Sequence, residues 1–256
     1  MDLPLGLLAF VIGYLLGALS FGRIVFSIMK PGETLTDVEM PIANRQETYK
    51  IKSVGGNTVS LRLGARAGCL VGFLDIFITF LPTLIFYILY PKEPYFLVAA
   101  LAGFIGHCWP IFYRFQGGRG ISPFYGGLFA FDPLGAMAVA ITSLIIGMVI
   151  LKELLVAYTG GVVLVLFWFL FTKFNHPLFP YYIAYAVLIN ILFMVALIPE
   201  VKQIIEMRRK YGKADMSTAM DAFPMGQQMM KIMKKLGLSK KRPQGQEQGP
   251  GKDVSV

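Results

Sequence analysis

The sequence predicts an all-α integral membrane protein with seven transmembrane helices, an outside N-terminus, an inside C-terminus and a basic cytoplasmic tail. Three observations carry this. Of 256 residues, 55% are hydrophobic and 15% charged, and the mean hydropathy is +0.61, a balance that suits a bilayer rather than a soluble core. Apolar runs long enough to cross a bilayer recur between short polar turns. The positive charge is lopsided, with 12 of the 24 Lys and Arg falling in residues 200–256.

The first span runs from about Pro4 to Met29, and Arg23 comes late in it. It is too long for a signal-peptide core and lacks a basic start, so it reads as a retained span. Residues 30–66 form a polar segment carrying Lys30, Arg45, Lys50, Lys52, Arg62 and Arg66. The second span covers Ala67 to Tyr90. A Pro-Lys-Glu-Pro turn at 91–94 separates it from the third, Tyr95 to Phe112. A stretch rich in Arg and Gly follows, then a short apolar piece, Ile121 to Phe131, ending at Asp132-Pro133. The fifth span covers Leu134 to Leu151, the sixth Leu154 to Thr172 and the seventh Leu178 to Leu197.

The 121–131 piece is short for a straight crossing. Counting it as one, with the N-terminus outside, puts residues 30–66, residues 113–120, Lys152 and the tail on the cytoplasmic side. Only Lys92 and Lys173 are then left outside, as the positive-inside rule demands. Beyond the last span, Glu200 to Tyr211 continues as helix. Phe223 to Leu238 interleaves methionines with lysines at near-helical spacing, a pattern for a membrane surface or a protein partner of segment 215–238. Residues 240–256 have a disordered composition. The chain thus divides into a membrane domain, 1–210, and a tail, 211–256. A basic tail beside apolar spans implies contact with anionic membrane lipids. Nothing forms a soluble basic domain for nucleic acid, and Cys69 and Cys108 read as small apolar side chains rather than a disulfide or metal pair.

Three groups converge on the inferred cytoplasmic face. In Ser53-Val54-Gly55-Gly56-Asn57-Thr58-Val59-Ser60-Leu61-Arg62, the glycines let backbone N–H groups turn toward an anion. Asn57, Thr58 and Ser60 add hydrogen bonds there, and Arg62 adds a two-pronged cation. The second group is His107 with Arg114-Phe115-Gln116-Gly117-Gly118-Arg119-Gly120 and Ser122, where a Gly-rich turn with an arginine opens a helix. The third is Asp75, a carboxylate inside the second span that needs a partner; Arg62, Arg66 or Arg119 is within reach. On the residues alone, the second group serves equally as a phosphate cradle or as a Gly-rich reversal with snorkelling arginines. A plain Gly-Gly turn accounts well for the first. The sequence supplies no Ser-His-Asp set, metal cluster or paired carboxylates. Anion binding at a membrane surface fits a reaction whose leaving group is already activated, such as acyl transfer from an acyl phosphate.

Gly106-His107-x-x-Pro110-Ile111-Phe112, Phe115-Gln116-Gly117-Gly118-Arg119-Gly120 and Phe129-Ala130-x-x-Pro133 resemble the motifs of the bacterial acyl-phosphate:glycerol-3-phosphate acyltransferase family. Tyr14-Leu15-Leu16-Gly17-Ala18-Leu19-Ser20-Phe21-Gly22 resembles that family's first-span motif. Gly56-Asn57-Thr58, Arg62, Gly68 and Leu74-Asp75 resemble its second region. The resemblance covers roughly residues 4–210. It implies a seven-helix plasma-membrane enzyme with a cytoplasmic site. Acyl phosphate would be the donor, glycerol 3-phosphate the acceptor and lysophosphatidate the product, with no cofactor and no metal.

By the same resemblance, Arg119 and Arg62 hold phosphates, and the backbone of Gly117, Gly118 and Gly120 lines the donor. Asn57 and Thr58 orient the acceptor hydroxyl, and Asp75 positions an arginine. Gly56, Ser60, His107, Ser122 and Gln203 complete the substrate contacts. The chain also departs from the family's pattern. Arg119 replaces a lysine, and Gly55 replaces a serine. Ile78 stands where the pattern has a lysine after Leu-Asp. A His-x-x-Asn after the last span becomes Glu200 and Gln203. Glu200 puts an anion where an anionic substrate is expected, with Lys202 near enough in sequence to screen it. These departures and the added tail suit an alternative, a non-catalytic scaffold or lipid-binding relative.

Overall fold

The structure is a computed structural model that describes residues 2–35, 38–41, 48–51, 54–151 and 154–220. Its helices are α1 (Leu3–Gly17), α2 (Phe21–Met29), α3 (Gly56–Leu63), α4 (Ala65–Leu89), α5 (Tyr95–Cys108), α6 (Ile121–Phe131), α7 (Pro133–Leu144), α8 (Leu154–Thr172) and α9 (Phe179–Met220). The fold is helical, with one addition that composition does not announce. The polar segment carries a two-stranded antiparallel ribbon, β1 (Val38–Pro41) and β2 (Thr48–Ile51), in register Val38 to Ile51.

Among the described residues, six segments are long and apolar enough to cross a membrane, from Leu3–Met29 through Phe179–Lys202, and the chain is a multi-pass membrane protein. The remaining expected crossing, the fourth in chain order, is α6, whose 11 residues reach only about 16 Å at ~1.5 Å per residue. It is buried along much of its length, against α4 and α5.

The first apolar run is not one helix. It breaks at Ala18–Ser20, and Ser20 is extended before α2 restarts. Arg23, on α2, donates to Ser20 Oγ at 3.3 Å and to the carbonyl of Gln116 at 2.8 Å. The break therefore aims a cation at the Arg- and Gly-rich loop. The fifth span is also irregular, since a π-helical segment, Ile145–Leu151, extends α7. The hydroxyl of Ser143 bonds the carbonyls of Val156 and Ala157 at 3.0 Å each, tying this segment's base to α8. The last span continues as helix to Met220, past the expected end at Tyr211. The segment from residue 221, with the Met-rich stretch, lies outside the described residues.

Helix α5 is the most enclosed, and α1 runs alongside it. Asp2 N donates to Tyr95 Oη at 2.7 Å at one end, and Tyr14 Oη donates to the carbonyl of Trp109 at 2.9 Å at the other. Between these bonds the backbones touch. A side chain at Gly17 would collide with the backbone of Gly103, and one at Gly106 with the carbonyl of Tyr14. This is small-residue packing of the kind that drives helix association in lipid. The rest of the core is aromatic, with Phe96, Phe131, Phe169, Tyr182 and Tyr185 in mutual ring contact.

Candidate functional site

Two glycine-rich segments meet where α3 and α6 begin. Gly56 sits so close to the carbonyl of Gly68 that any side chain would strike it, which lets α3 lie flush on the first turns of α4. The loop before α6 is stitched from several sides. Phe115 N donates to the carbonyl of Pro110 at 3.0 Å, Gly118 N to that of His107 at 3.1 Å, and Val54 N to that of Gly117 at 3.4 Å. Arg114 and Phe115 take left-handed φ angles of 53° and 59° to make the reversal. Gly118 packs on the His107 ring, and Gly120, at φ 81°, on the Phe104 ring. Side chains at these glycines would meet the rings. Arg23 clamps the outside, with its guanidinium 4.5 Å from the Tyr113 ring centroid.

These segments enclose a cavity of about 510 Å³. Ten of the thirteen expected site residues line it: Gly56, Asn57, Thr58, Ser60, Asp75, His107, Gly118, Arg119, Gly120 and Ser122. Three do not. Gly117 lies behind the wall, pressed on the His107 carbonyl. Arg62 faces outward, 3.9 Å from Glu33 and 5.9 Å from the Phe26 ring. The side chain of Gln203 lies outside the described residues.

The charge pairing differs from expectation. Asp75 meets no arginine among the described ion pairs. Its Oδ1 lies 3.9 Å from Nδ1 of His107, both side chains are buried, and Oδ1 has no hydrogen-bond partner among the described residues. That distance is too long for a hydrogen bond, so the two groups face each other as neighbours across the α4–α5 contact. Arg119 pairs with Glu200 of α9, Nε to Oε2 at 2.5 Å. The screen for the Glu200 carboxylate is therefore Arg119. Lys202 is exposed.

Helix α8 contributes three wall residues absent from the expected set, Leu155, Tyr158 and Thr159. The Tyr158 hydroxyl shares a side-chain hydrogen bond with Asn57 and lies in the electrostatic field of both Arg119 and Glu200. The available signal was a Tyr-Thr pair before Gly160-Gly161 inside an apolar span. Among the described residues no group of three or more His, Cys, Asp or Glu could hold a metal. Chemically, the cavity offers backbone N–H groups, hydroxyls, one amide and one arginine beside apolar wall from Phe73, Ile76 and Ile121. That set can seat a phosphate with an acyl chain attached.

The family model described as glycerol-3-phosphate acyltransferase matches residues 7–207. Among relatives with that name, the Burkholderia thailandensis protein is 32% identical over 173 residues, covering 67% of this chain and 80% of its own. The Aquifex aeolicus protein is 31% identical over 128 residues, covering 50% and 60%. The chain thus spans about six tenths of the length of the first curated relatives it matches. Two crystal structures of PlsY (YgiH), an integral membrane glycerol 3-phosphate acyltransferase, share the fold. The lysophosphatidic acid form has a TM-score of 0.59 at 22% identity, and the glycerol 3-phosphate form 0.61 at 24%. Each comparison covers 79% of this chain and 93% of the other. The chain belongs to the glycerol-3-phosphate acyltransferase family.

Proposed function

We propose that the protein transfers an acyl chain from acyl phosphate to glycerol 3-phosphate, giving lysophosphatidate for phospholipid synthesis. The observation that carries this is the meeting of the Gly118-Arg119-Gly120 turn and the Asn57–Ser60 helix start over one cavity with an apolar wall. In the reaction, an acceptor hydroxyl oxygen forms a bond to the acyl carbonyl carbon. The bond from that carbon to the phosphate oxygen breaks, and the hydroxyl proton balances the departing phosphate. Arg119 and the Gly120 backbone neutralise charge on the leaving phosphate, while Gly118, whose N–H is taken by the His107 carbonyl, shapes the turn. Asn57 and Thr58 orient the acceptor, and Tyr158 holds Asn57. Arg62 acts at a distance, drawing anions toward the cavity.

On the same reading the site lies in the cytoplasm, with α6 as the short fourth of seven crossings. Two ion pairs support it. Arg119, before α6, reaches Glu200 near the end of the α9 span, and Asp132, after α6, reaches Lys173 directly after α8 ends. Long side chains at both ends make up the reach that 11 residues lack. The Lys and Arg distribution then sets the N-terminus outside and the C-terminus inside the plasma membrane. Residues 1–210 form the catalytic unit. The tail, 211–256, meets anionic lipid and, through 215–238, a protein partner.

Purified full-length protein supplied with acyl phosphate and a panel of glycerol-type acceptors tests the function. Equal amounts of released phosphate and lysophosphatidate are expected with glycerol 3-phosphate. Absence of product with every acceptor contradicts the reading. One observation favours a non-catalytic scaffold instead: the charged lining side chains are two carboxylates, Asp75 and Glu200, against one guanidinium. Deleting 215–256 separates the two, since an enzyme keeps its basal turnover and a scaffold loses its partner.

A further inference from the structure

Arg119 and Glu200 are 81 residues apart in the sequence and meet in the cavity wall. Their side chains are 26% and 17% exposed, and the contacting atoms Nε and Oε2 meet as an ion pair with no aligned hydrogen bond at either atom among the described residues. The backbone on either side of Arg119 is fixed, because Gly118 is held on His107 and Gly120 on Phe104. The arginine side chain is long and flexible, so a fixed backbone does not by itself fix its head group. Glu200 sits on α9 directly after Pro199, on a helix packed on α5 and α8, and so anchors the guanidinium from a separate element.

A guanidinium offers five N–H donors in a planar fork. A carboxylate paired at the Nε edge of the guanidinium leaves the terminal amino groups on the far edge with donors to spare. One arginine can then face two anions, one permanent and one arriving. A lysine ammonium is a point charge with no such second edge. A head group ordered before the ligand arrives also removes that ordering cost from binding.

We propose that Glu200 is the positioning residue for Arg119, holding the guanidinium so that its terminal amino groups present to the phosphate monoester of a substrate. The inference rests on the phosphate-binding reading given above and adds the residue that makes arginine work at position 119. It reverses the simple electrostatic expectation that a carboxylate in the wall only repels an anionic substrate. In this arrangement Glu200 and Arg119 act as one unit, and the effect of one depends on the identity of the other.

The test is calorimetric titration of the full-length protein in detergent with glycerol 3-phosphate and, separately, inorganic phosphate. It is made in the native chain and in Glu200→Gln, Glu200→Ala, Arg119→Lys and the double variant Arg119→Lys with Glu200→Ala. Glu200→Gln keeps the side-chain shape without its charge and so weakens binding less than Glu200→Ala, which weakens it about tenfold or more. In the Arg119→Lys background, Glu200→Ala produces no further loss or tightens binding, because the carboxylate there has only its repulsion to contribute. Glu200→Met, which keeps side-chain volume, replaces Glu200→Ala if the smaller variant fails to fold. Binding that is unchanged or tighter in Glu200→Ala overturns the inference, as does an equal loss in both backgrounds, which marks a purely structural contact. Failure of the native chain to bind either phosphate overturns the phosphate-binding reading itself and this inference with it.

Discussion

The two ends of α6 each carry an ion pair, and the pairs differ in what remains unused. At the far end, Asp132 spends both oxygens. Oδ1 accepts from Gly135 N at 2.9 Å, and Oδ2 accepts from Trp168 Nε1 at 3.0 Å and pairs with Lys173 Nζ at 3.0 Å. Lys173 also lies 5.6 Å from the Tyr182 ring centroid. Both oxygens there are engaged, and the cluster caps α7 and ties it to α8. At the near end, Arg119 and Glu200 pair through one atom each and border a cavity of about 510 Å³. The same kind of contact is a closed knot in one place and an open site in the other. On the proposed function, a guanidinium with donors to spare beside a cavity, more than charge alone, marks the functional end.

Breaking the closed knot should cost stability and nothing else. Asp132→Ala strands Lys173 and the Trp168 N–H, an expected loss of roughly 3–5 kcal/mol. Turnover per folded molecule stays near native, as denaturation in detergent and an activity assay together would show. The open end should respond to small changes of shape. Gly118→Ala pushes a methyl group into the His107 ring. It should destabilise by about 1–3 kcal/mol and lower turnover of the molecules that fold, because the ring and Arg119 shift together. Gly72 also borders the cavity, but a methyl group added there would have nothing within 4 Å. Gly72→Ala should therefore leave stability unchanged or slightly raised, by up to about 1 kcal/mol. Smallest of all is Arg62→Ala. Its partner Glu33 is 3.9 Å away and both side chains are about half exposed, so the expected stability change is under about 1 kcal/mol. Any loss of turnover should shrink as salt rises, since the role is long-range.

The contrast between the ends also explains what the sequence revealed. Apolar runs and their polar breaks located α8 at its observed limits, Leu154–Thr172, because burial in lipid depends on composition over a length. The break at Ala18–Ser20 was hidden, since it is held by Arg23 reaching Gln116, 93 residues away. The π segment Ile145–Leu151 was hidden for a similar reason: its hydropathy is that of any apolar helix. At the site, Gly56, Asn57 and Gly118 to Gly120 were legible because glycines beside polar residues announce a backbone need locally. The partners were not legible. Asp75 faces His107 rather than an arginine, and Glu200 faces Arg119, because pairing depends on which helices cross. Arg62 is not the wall residue its motif suggests, since an eight-residue helix has two faces and the motif does not say which one Arg62 takes. Tyr158 stayed concealed inside a run of apolar neighbours.

The central claim is that acyl transfer takes place in the cavity that Arg119 borders. The most direct measurement is acyl-phosphate-dependent formation of lysophosphatidate, per folded molecule, by the native chain and by Arg119→Ala. The doubly neutral Arg119→Gln with Glu200→Gln is included so that no buried charge is stranded. Both variants are expected to fold and to lose about a hundredfold or more of turnover, the usual cost of removing a group that stabilises developing charge. Full activity in a folded Arg119→Ala or in the doubly neutral variant would contradict the claim.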